Sequence, residues 1–307
     1  MIRQPLRTSA LVHSALLIAL GAALYLPALG RVGLLDPSEP FYALTAREML
    51  DRQDLSTPVI FGAPQWEKPP LAYWLIVASY RILGESEAAA RLPSAVAAIL
   101  LVLVTYAVGR RLYDRPLTAL VAAVMLATAG KTVALARLAF TDMLLALCVW
   151  TSVWGVTLVF FGQRRPALGW AVYWVAAGAG WLTKGPVALI VPSMAVWAFA
   201  LTSGRKREIR PVHYAAGYAL FVVIVVPWFT LMTYRHGTGF LYEFFVHENI
   251  RRFFIAEHGG SDRWHFYPLA VLLGLWPWSA LVPMALARGA HLARRVSAGL
   301  SESALFL

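Results

Sequence analysis

The sequence predicts an all-α polytopic membrane protein. Three observations carry that reading. Of 307 residues, 59% are hydrophobic and only 14% charged, against about 45–50% and 25% in a soluble domain; the mean hydropathy is +0.63. Apolar runs near the 20 residues that a transmembrane helix needs recur along the whole chain. The charges between those runs sort by sign. The same composition excludes disorder, collagen and coiled coil, and a single cysteine, Cys148 in an apolar run, excludes a disulfide framework or a cysteine-based zinc cluster.

The runs lie at 10–29, 92–109, 116–135, 143–161, 167–183, 186–202, 213–233 and 266–287, about eight spans in all. The first follows Arg3 and Arg7 like a signal peptide, but it is long and Leu26-Pro27-Ala28-Leu29-Gly30 is a poor cleavage site, so it reads as an uncleaved span. Only Lys184-Gly185-Pro186 separates the fifth run from the sixth. The stretch 71–83 is too short to cross and reads as an interfacial or re-entrant helix. The chain thus divides into a first span (1–29), an outer loop (30–91), the remaining membrane helices (92–287, with an outer loop at 234–265) and a cytoplasmic tail (288–307).

With the N-terminus in the cytoplasm, the inside segments 1–9, 110–115, 162–166, 203–212 and 288–307 hold 14 of the 27 Lys and Arg but only Asp114, Glu208 and Glu302 of the 16 acids. That asymmetry accounts for the whole net charge of +11. Lys and Arg in short cytoplasmic loops set orientation, so the basicity is topological and does not call for nucleic acid. The first outer loop carries two amphipathic elements suited to the membrane interface: one from Pro40 through Phe41, Tyr42, Leu44, Met49 and Leu50, the other from Pro69-Pro70 into Leu71-Ala72-Tyr73-Trp74.

Four polar clusters fall on the outer face. They are Asp36-Pro37-Ser38-Glu39-Pro40-Phe41-Tyr42; Gln65-Trp66-Glu67-Lys68-Pro69-Pro70; Arg137 with Asp142 and Lys184; and His247-Glu248-Asn249-Ile250-Arg251-Arg252, followed by Glu257 and His258. Charges at the centre of a span cost about 2.5–3.5 kcal/mol each on insertion scales, and persist when paired, at an edge or lining a polar cavity. Lysines and arginines at a lipid boundary suit the phosphate of a lipid carrier; carboxylates suit general-base work on a hydroxyl, or metal coordination.

Each cluster also has a plain reading. Asp36 and Glu39 could cap the helix starting near Pro40, and Glu67-Lys68 could be a solvated pair before a turn. Glu248 and Arg252 have the i, i+4 spacing of a helix salt bridge, His247 could be a surface histidine, and Lys131 and Arg137 could snorkel from span ends. Two sharper motifs are absent. Position 251 is Arg, so His247-Glu248 does not begin a zinc-protease site, and there is no phosphate-binding GxxxxGK[ST] loop. No second half repeats the first, against an inverted-repeat transporter.

The pieces DPSEPFYALTAREML, WEKPPLAYW, TDMLL, GWLTKGPVAL and FVHENIRRF, in that order, resemble the 4-amino-4-deoxy-L-arabinose transferases, which group with the protein O-mannosyltransferases among the GT-C glycosyltransferases. The resemblance runs along nearly the whole chain. It implies a GT-C-like bundle that takes a sugar from a polyprenyl-phosphate donor and transfers it to a lipid or protein acceptor on the non-cytoplasmic face of the bacterial inner membrane. Residue by residue, it implies that Lys68 binds the carrier phosphate with Arg252 as a second contact, that Glu67 and His247 flank a divalent metal (zinc, magnesium or manganese), that Glu39 and Tyr42 belong to the acidic loop, and that Asp142 is the facing carboxylate. Lys184 and Arg251 join the expected substrate-binding set.

The family usually has an acid immediately before the glutamate and an arginine two residues after it. Here those places hold Ser38 and Phe41, which leaves Asp36 or Glu39 as the expected base and leaves the sugar open. Family members also continue into further spans and an outer soluble domain, so a truncated chain is the expectation. The expected reaction is activation of an acceptor hydroxyl or phosphate by the carboxylate, with Lys68, Arg252 and a metal stabilising the departing polyprenyl phosphate. The alternatives are a binding or transport protein for a lipid-linked substrate, or an inactive truncated transferase.

Overall fold

A computed structural model describes residues 4–35, 38–161, 166–204, 211–251 and 265–297, with backbone alone at 4–8 and 290–297. Its elements are α1 (Gln4–Tyr25), α2 (Ser38–Asp51), a two-stranded hairpin of β1 (Val59–Ile60) and β2 (Ala63–Pro64), α3 (Leu71–Leu83), α4 (Glu87–Leu112), α5 (Pro116–Thr128), α6 (Gly130–Ala136), α7 (Asp142–Phe160), α8 (Pro166–Lys184), α9 (Val187–Thr202) and α10 (Pro211–His236). A turn at Gly239–Leu241 leads into a π-helical segment, Tyr242–Arg251, and helices at Phe266–Gly274 and Val282–Ser297 follow. The described residues fall into two compact units, one drawn from Met1–Thr128 and Thr132–Glu257, the other from Ala129–Lys131 and His258–Leu307.

Local chemistry sets the helix ends. α5, α8 and α10 each open on a proline, whose fixed φ suits the first helical position and whose missing N–H would be unpaired there in any case. α4 is capped by Ser86, whose side chain accepts the Ala89 N–H at 3.2 Å. Glu87 in its first turn and Arg110 and Arg111 in its last complement the helix dipole.

Membrane helices gain little from apolar contact with one another and associate through close packing of small residues. α7 and α8 approach so closely that a Cβ on Gly155 would stand 2.6 Å from the Gly169 carbonyl oxygen, and one on Gly169 2.7 Å from that of Gly155. Ser152, one turn before Gly155, donates to the carbonyl of Tyr173 across the pair at 3.2 Å. α5 presents Ala119, Ala123 and Ala127, all buried and four residues apart, to α4, where a Cβ on Gly109 would meet Ala119 at 2.9 Å. Between α8 and α10 the filler is aromatic, with Trp170 and Trp174 edge-on to Tyr214 at 5.1 and 5.0 Å.

Each apolar run expected to span lies largely in helix, but the lengths differ. α4, α7 and α10 are long and apolar enough to cross a membrane. The runs 116–135 and 266–287 are broken, the first bent by 61° between α5 and α6 and the second by 115° between Phe266–Gly274 and Trp278–Gly289. Three helices therefore qualify, or five with each bent pair taken as one span, among the described residues. At the first break the Gly130 N–H leaves the helical ladder and donates to Trp276 at 2.8 Å. α9, with Pro192 inside, has only 16 residues.

The two amphipathic elements of the first loop are helices, but they are not independent surface elements. Ala43, Ala46 and Met49 of α2 form one buried cluster with Tyr73, Ile76, Val77 and Tyr80 of α3. Each helix covers the other's apolar stripe at i, i+3, i+4 spacing. A Gly155→Val variant should cost about 3 kcal/mol or more by overpacking against backbone, read as a lower thermal midpoint in detergent. Gly239→Ala, where an added Cβ meets nothing within 4 Å, should leave that midpoint in place.

Candidate functional site

Arg91, one turn into α4, is buried and fills all five of its N–H donors. Nε and Nη2 donate to the two carboxylate oxygens of Glu39 at 2.8 and 2.7 Å. Nη1 donates to the carbonyls of Leu29 and Val32 at 2.6 and 2.7 Å, and Nη2 also to that of Gly33 at 2.9 Å. Glu39 is fully buried and accepts two more hydrogen bonds, from the N–H of Leu35 and of Ala139, both at 2.8 Å. Burial alone would raise the Glu39 carboxyl, but the Arg91 guanidinium and the two backbone donors outweigh it and hold the carboxyl below its usual range. Glu39, one of the two carboxylates expected as the base, is thus engaged on both oxygens. Its oxygens are spent on Arg91 and the backbone and reach no solvent, so its part is to hold four chain segments together.

A second polar group gathers around Lys68. Upstream, Gln65 is buried and donates to the Tyr73 hydroxyl at 2.7 Å while its side-chain oxygen accepts the Glu67 N–H at 3.0 Å. That fixes the turn before Pro69-Pro70. The Lys68 side chain is 14% exposed, and its ammonium lies 3.9 Å from both Glu67 Oε2 and Glu248 Oε2; it also donates to the Glu67 carbonyl at 3.3 Å.

Glu248 comes from the π-helical segment, where the wider turn brings residues four and five apart onto one side. There His247 Nδ1 lies 3.2 Å from Glu243 Oε1 and 3.2 Å from Glu248 Oε1. Potential ligand atoms of Glu243, His247 and Glu248 all lie within 4.8 Å of one another. Asn249 holds the segment by donating to the Phe244 carbonyl five residues back, at 2.6 Å. Gly185, with φ of +79°, lets α8 end directly against Phe244, where a Cβ would meet the ring at 2.9 Å.

The structure thus brings Glu67, Lys68 and His247 into one neighbourhood with Glu243 and Glu248. It pairs Asp142 with Lys184, joining the start of α7 to the end of α8 at 3.0 Å, both half-exposed. Tyr42 is half-buried, its ring 5.9 Å from Tyr73 and 6.3 Å from Phe140. Arg251 is exposed at the end of the π-helical segment. Asp36 and Arg252, with Glu257 and His258, lie outside the described residues.

Arg91 was missed by sequence reading. Its signal was a lone arginine four residues after Glu87, where a charge at a span edge asks for a partner. Glu243, i, i+4 from His247, was equally readable.

Residues 67–230 match the family model described as dolichyl-phosphate-mannose-protein mannosyltransferase. An undecaprenyl phosphate-alpha-4-amino-4-deoxy-L-arabinose arabinosyl transferase of Pseudomonas paraeruginosa is 34% identical over 283 residues, covering 91% of this chain and 50% of that protein. The protein of that name in Pectobacterium atrosepticum is 29% identical over 283 residues, with the same coverage. Among solved structures, ArnT from Cupriavidus metallidurans bound to undecaprenyl phosphate superposes with a TM-score of 0.80 at 26% identity, over 95% of this chain and 52% of that one. The chain spans about half the length of the curated relatives it matches.

Removing one side of the Glu39–Arg91 pair strands a buried charge. Glu39→Gln should therefore lower stability at neutral pH by about 3 kcal/mol. The lowered carboxyl sets the sign with pH: its contribution is full above the ordinary value of 4.5 and is lost as pH falls through the lower folded-state value. Thermal melts between about pH 3 and 7 should show a steep acid loss in the wild type and a flatter one in Glu39→Gln.

Proposed function

The chain belongs to the dolichyl-phosphate-mannose-protein mannosyltransferase family, and on that premise we propose that it transfers a glycosyl group from a polyprenyl-phosphate sugar to an acceptor hydroxyl or phosphate. The observation that carries this reading is Lys68, a largely enclosed ammonium placed between Glu67 and Glu248. In the transfer, the bond from the anomeric carbon to the carrier phosphate oxygen breaks as the acceptor oxygen bonds to that carbon. A hydroxyl acceptor passes its proton to a carboxylate, whereas a phosphate acceptor attacks as the anion, and in both cases polyprenyl phosphate leaves with the added negative charge. Lys68 is suited to pair with that charge as it grows, with Arg251 and Arg252 as further cationic contacts and Tyr42 as a neighbouring hydroxyl.

With Glu39 committed to Arg91, Asp36 is the remaining base of the first loop and Asp142 the facing carboxylate. The acceptor is a lipid or a protein. Charge sorting supports a periplasmic site in the bacterial inner membrane with a cytoplasmic N-terminus.

A divalent ion fits the donor set. Glu243, His247 and Glu248 offer one imidazole and two carboxylates, suited to zinc or manganese. Lys68 faces Glu67 and Glu248, and Glu243 adds a further carboxylate beside His247, negative charge that a divalent ion would help to balance. When bound, such an ion supplies neutralisation of phosphate charge. His247→Ala should then bind zinc or manganese at least tenfold more weakly, about the loss that follows removal of a ligand or its support, as titration calorimetry would show.

The test of the donor site is native mass spectrometry of the detergent-purified chain. Wild type should carry polyprenyl phosphate or its glycosylated form, and Lys68→Ala should lose it while keeping ordinary phospholipids. Equal carrier on both would refute the assignment of Lys68.

A further inference from the structure

Between α2 and α3 the chain makes a hairpin that holds an aromatic ring in the open. Ile60 pairs with Ala63, so the loop has two residues, Phe61 and Gly62, with φ of 51° and 77°. Two positive φ values belong to the type I′ hairpin turn, whose first position normally takes Asn, Asp or Gly. A phenylalanine there is strained, and with its residue 84% exposed it gains little packing within the protein to offset that strain. The turn is instead held from below. Glu48 on α2 accepts the Phe61 N–H through Oε1 at 2.6 Å and the Gly62 N–H through Oε2 at 3.0 Å. Arg52, one turn further along, brings Nη2 to 3.7 Å from the position of a Cβ on Gly62. The tip is therefore an exposed ring on a pinned backbone, with a guanidinium beside Gly62.

The height of this tip is set by α10. The irregular segment leading into the hairpin is tied to the last turns of that helix. Trp228 Nε1 donates to the Ser56 carbonyl at 2.8 Å, Arg235 Nη1 pairs with Asp54 Oδ2 at 2.8 Å, and Thr57 lies 3.3 Å from His236. α10 is long and apolar enough to cross a bilayer, so these contacts mark where it leaves the hydrocarbon. Tyr234, 88% exposed, stands at the same level, as an interfacial aromatic would. Phe61 follows Ser56 by five residues, at most about 17 Å of extended chain.

We propose that Phe61 and Arg52 form a phospholipid-contact site, the ring entering the boundary between headgroups and acyl chains of the leaflet at the His236 end of α10 and Arg52 pairing with a lipid phosphodiester. The site anchors the segment between α2 and Gln65, and it does not depend on the transfer reaction. An interfacial element buries Phe toward the acyl chains and carries Arg on its polar side, where the guanidinium fork pairs with phosphate.

The test uses the full chain in nanodiscs of phosphatidylcholine and phosphatidylglycerol. Cys148, the one cysteine, is buried and is replaced by alanine. A spin label at Phe61→Cys then reports its access to oxygen, which concentrates in lipid, and to a water-soluble nickel complex. Oxygen access should exceed nickel access at position 61, and the reverse should hold for a label at Glu85→Cys. Adding Arg52→Gln should make the reading at 61 shallower. Greater nickel access at 61 would place the tip in water, and low access to both would mean that protein covers it; either result overturns the proposal. Phe61→Trp keeps an aromatic ring and gives an independent reading: brominated lipids should quench its added fluorescence, and no added quenching would contradict lipid contact.

Discussion

The Glu39–Arg91 pair is the constraint on which the first loop depends. Taking a carboxylate and a guanidinium out of water costs several kcal/mol per ion, recovered only where the geometry is good and the remaining donors and lone pairs are filled. Here they are filled: Arg91 spends all five N–H groups, on Glu39, Leu29, Val32 and Gly33, and Glu39 takes two further bonds from Leu35 and Ala139. The end of the α1 connection, the start of α2, the start of α4 and the turn before α7 meet at this one point. With α2 fixed there, its apolar stripe meets α3, and α3 begins directly after Lys68-Pro69-Pro70.

The Lys68 neighbourhood is built on the opposite principle. Its ammonium stands 3.9 Å from each of two carboxylates, beyond the 2.7–2.9 Å of a good charge-assisted hydrogen bond. On the proposed reading an incoming phosphate joins these carboxylates at Lys68, whereas displacing Glu39 from Arg91 would strand a buried charge. On the proposed reading the two ionic groups divide the work, one holding the scaffold and the other facing the carrier phosphate.

Much of this was legible in the sequence. Apolar run length located the helices, and Pro40 and Pro69-Pro70 located α2 and α3. The motif pieces located Lys68 and His247. What could not be read were the pairings. Nothing in local pattern joins residue 39 to residue 91, so Glu39 looked like a free acid at a helix start. Amphipathic stripes on α2 and α3 suit an interface and each other equally well, and only the tertiary contact decides. The breaks at Gly130 and at Pro277 fall inside apolar runs long enough to read as continuous spans, and a backbone N–H captured by Trp276 leaves no mark in composition. The π-helical turn, which brings Glu243 and Glu248 together on His247, likewise follows from packing of Phe244 against Gly185 more than from residue preference.

The most direct measurement is turnover by the full chain in proteoliposomes supplied with a synthetic glycosyl polyprenyl phosphate and an acceptor lipid, following release of free polyprenyl phosphate. A transferase built around Lys68 should release the carrier in step with acceptor glycosylation, and Lys68→Ala should release none under the same conditions. Carrier that binds and is retained intact by the wild type, with no release at any acceptor concentration, would contradict the account and make the chain a binding protein for a lipid-linked substrate.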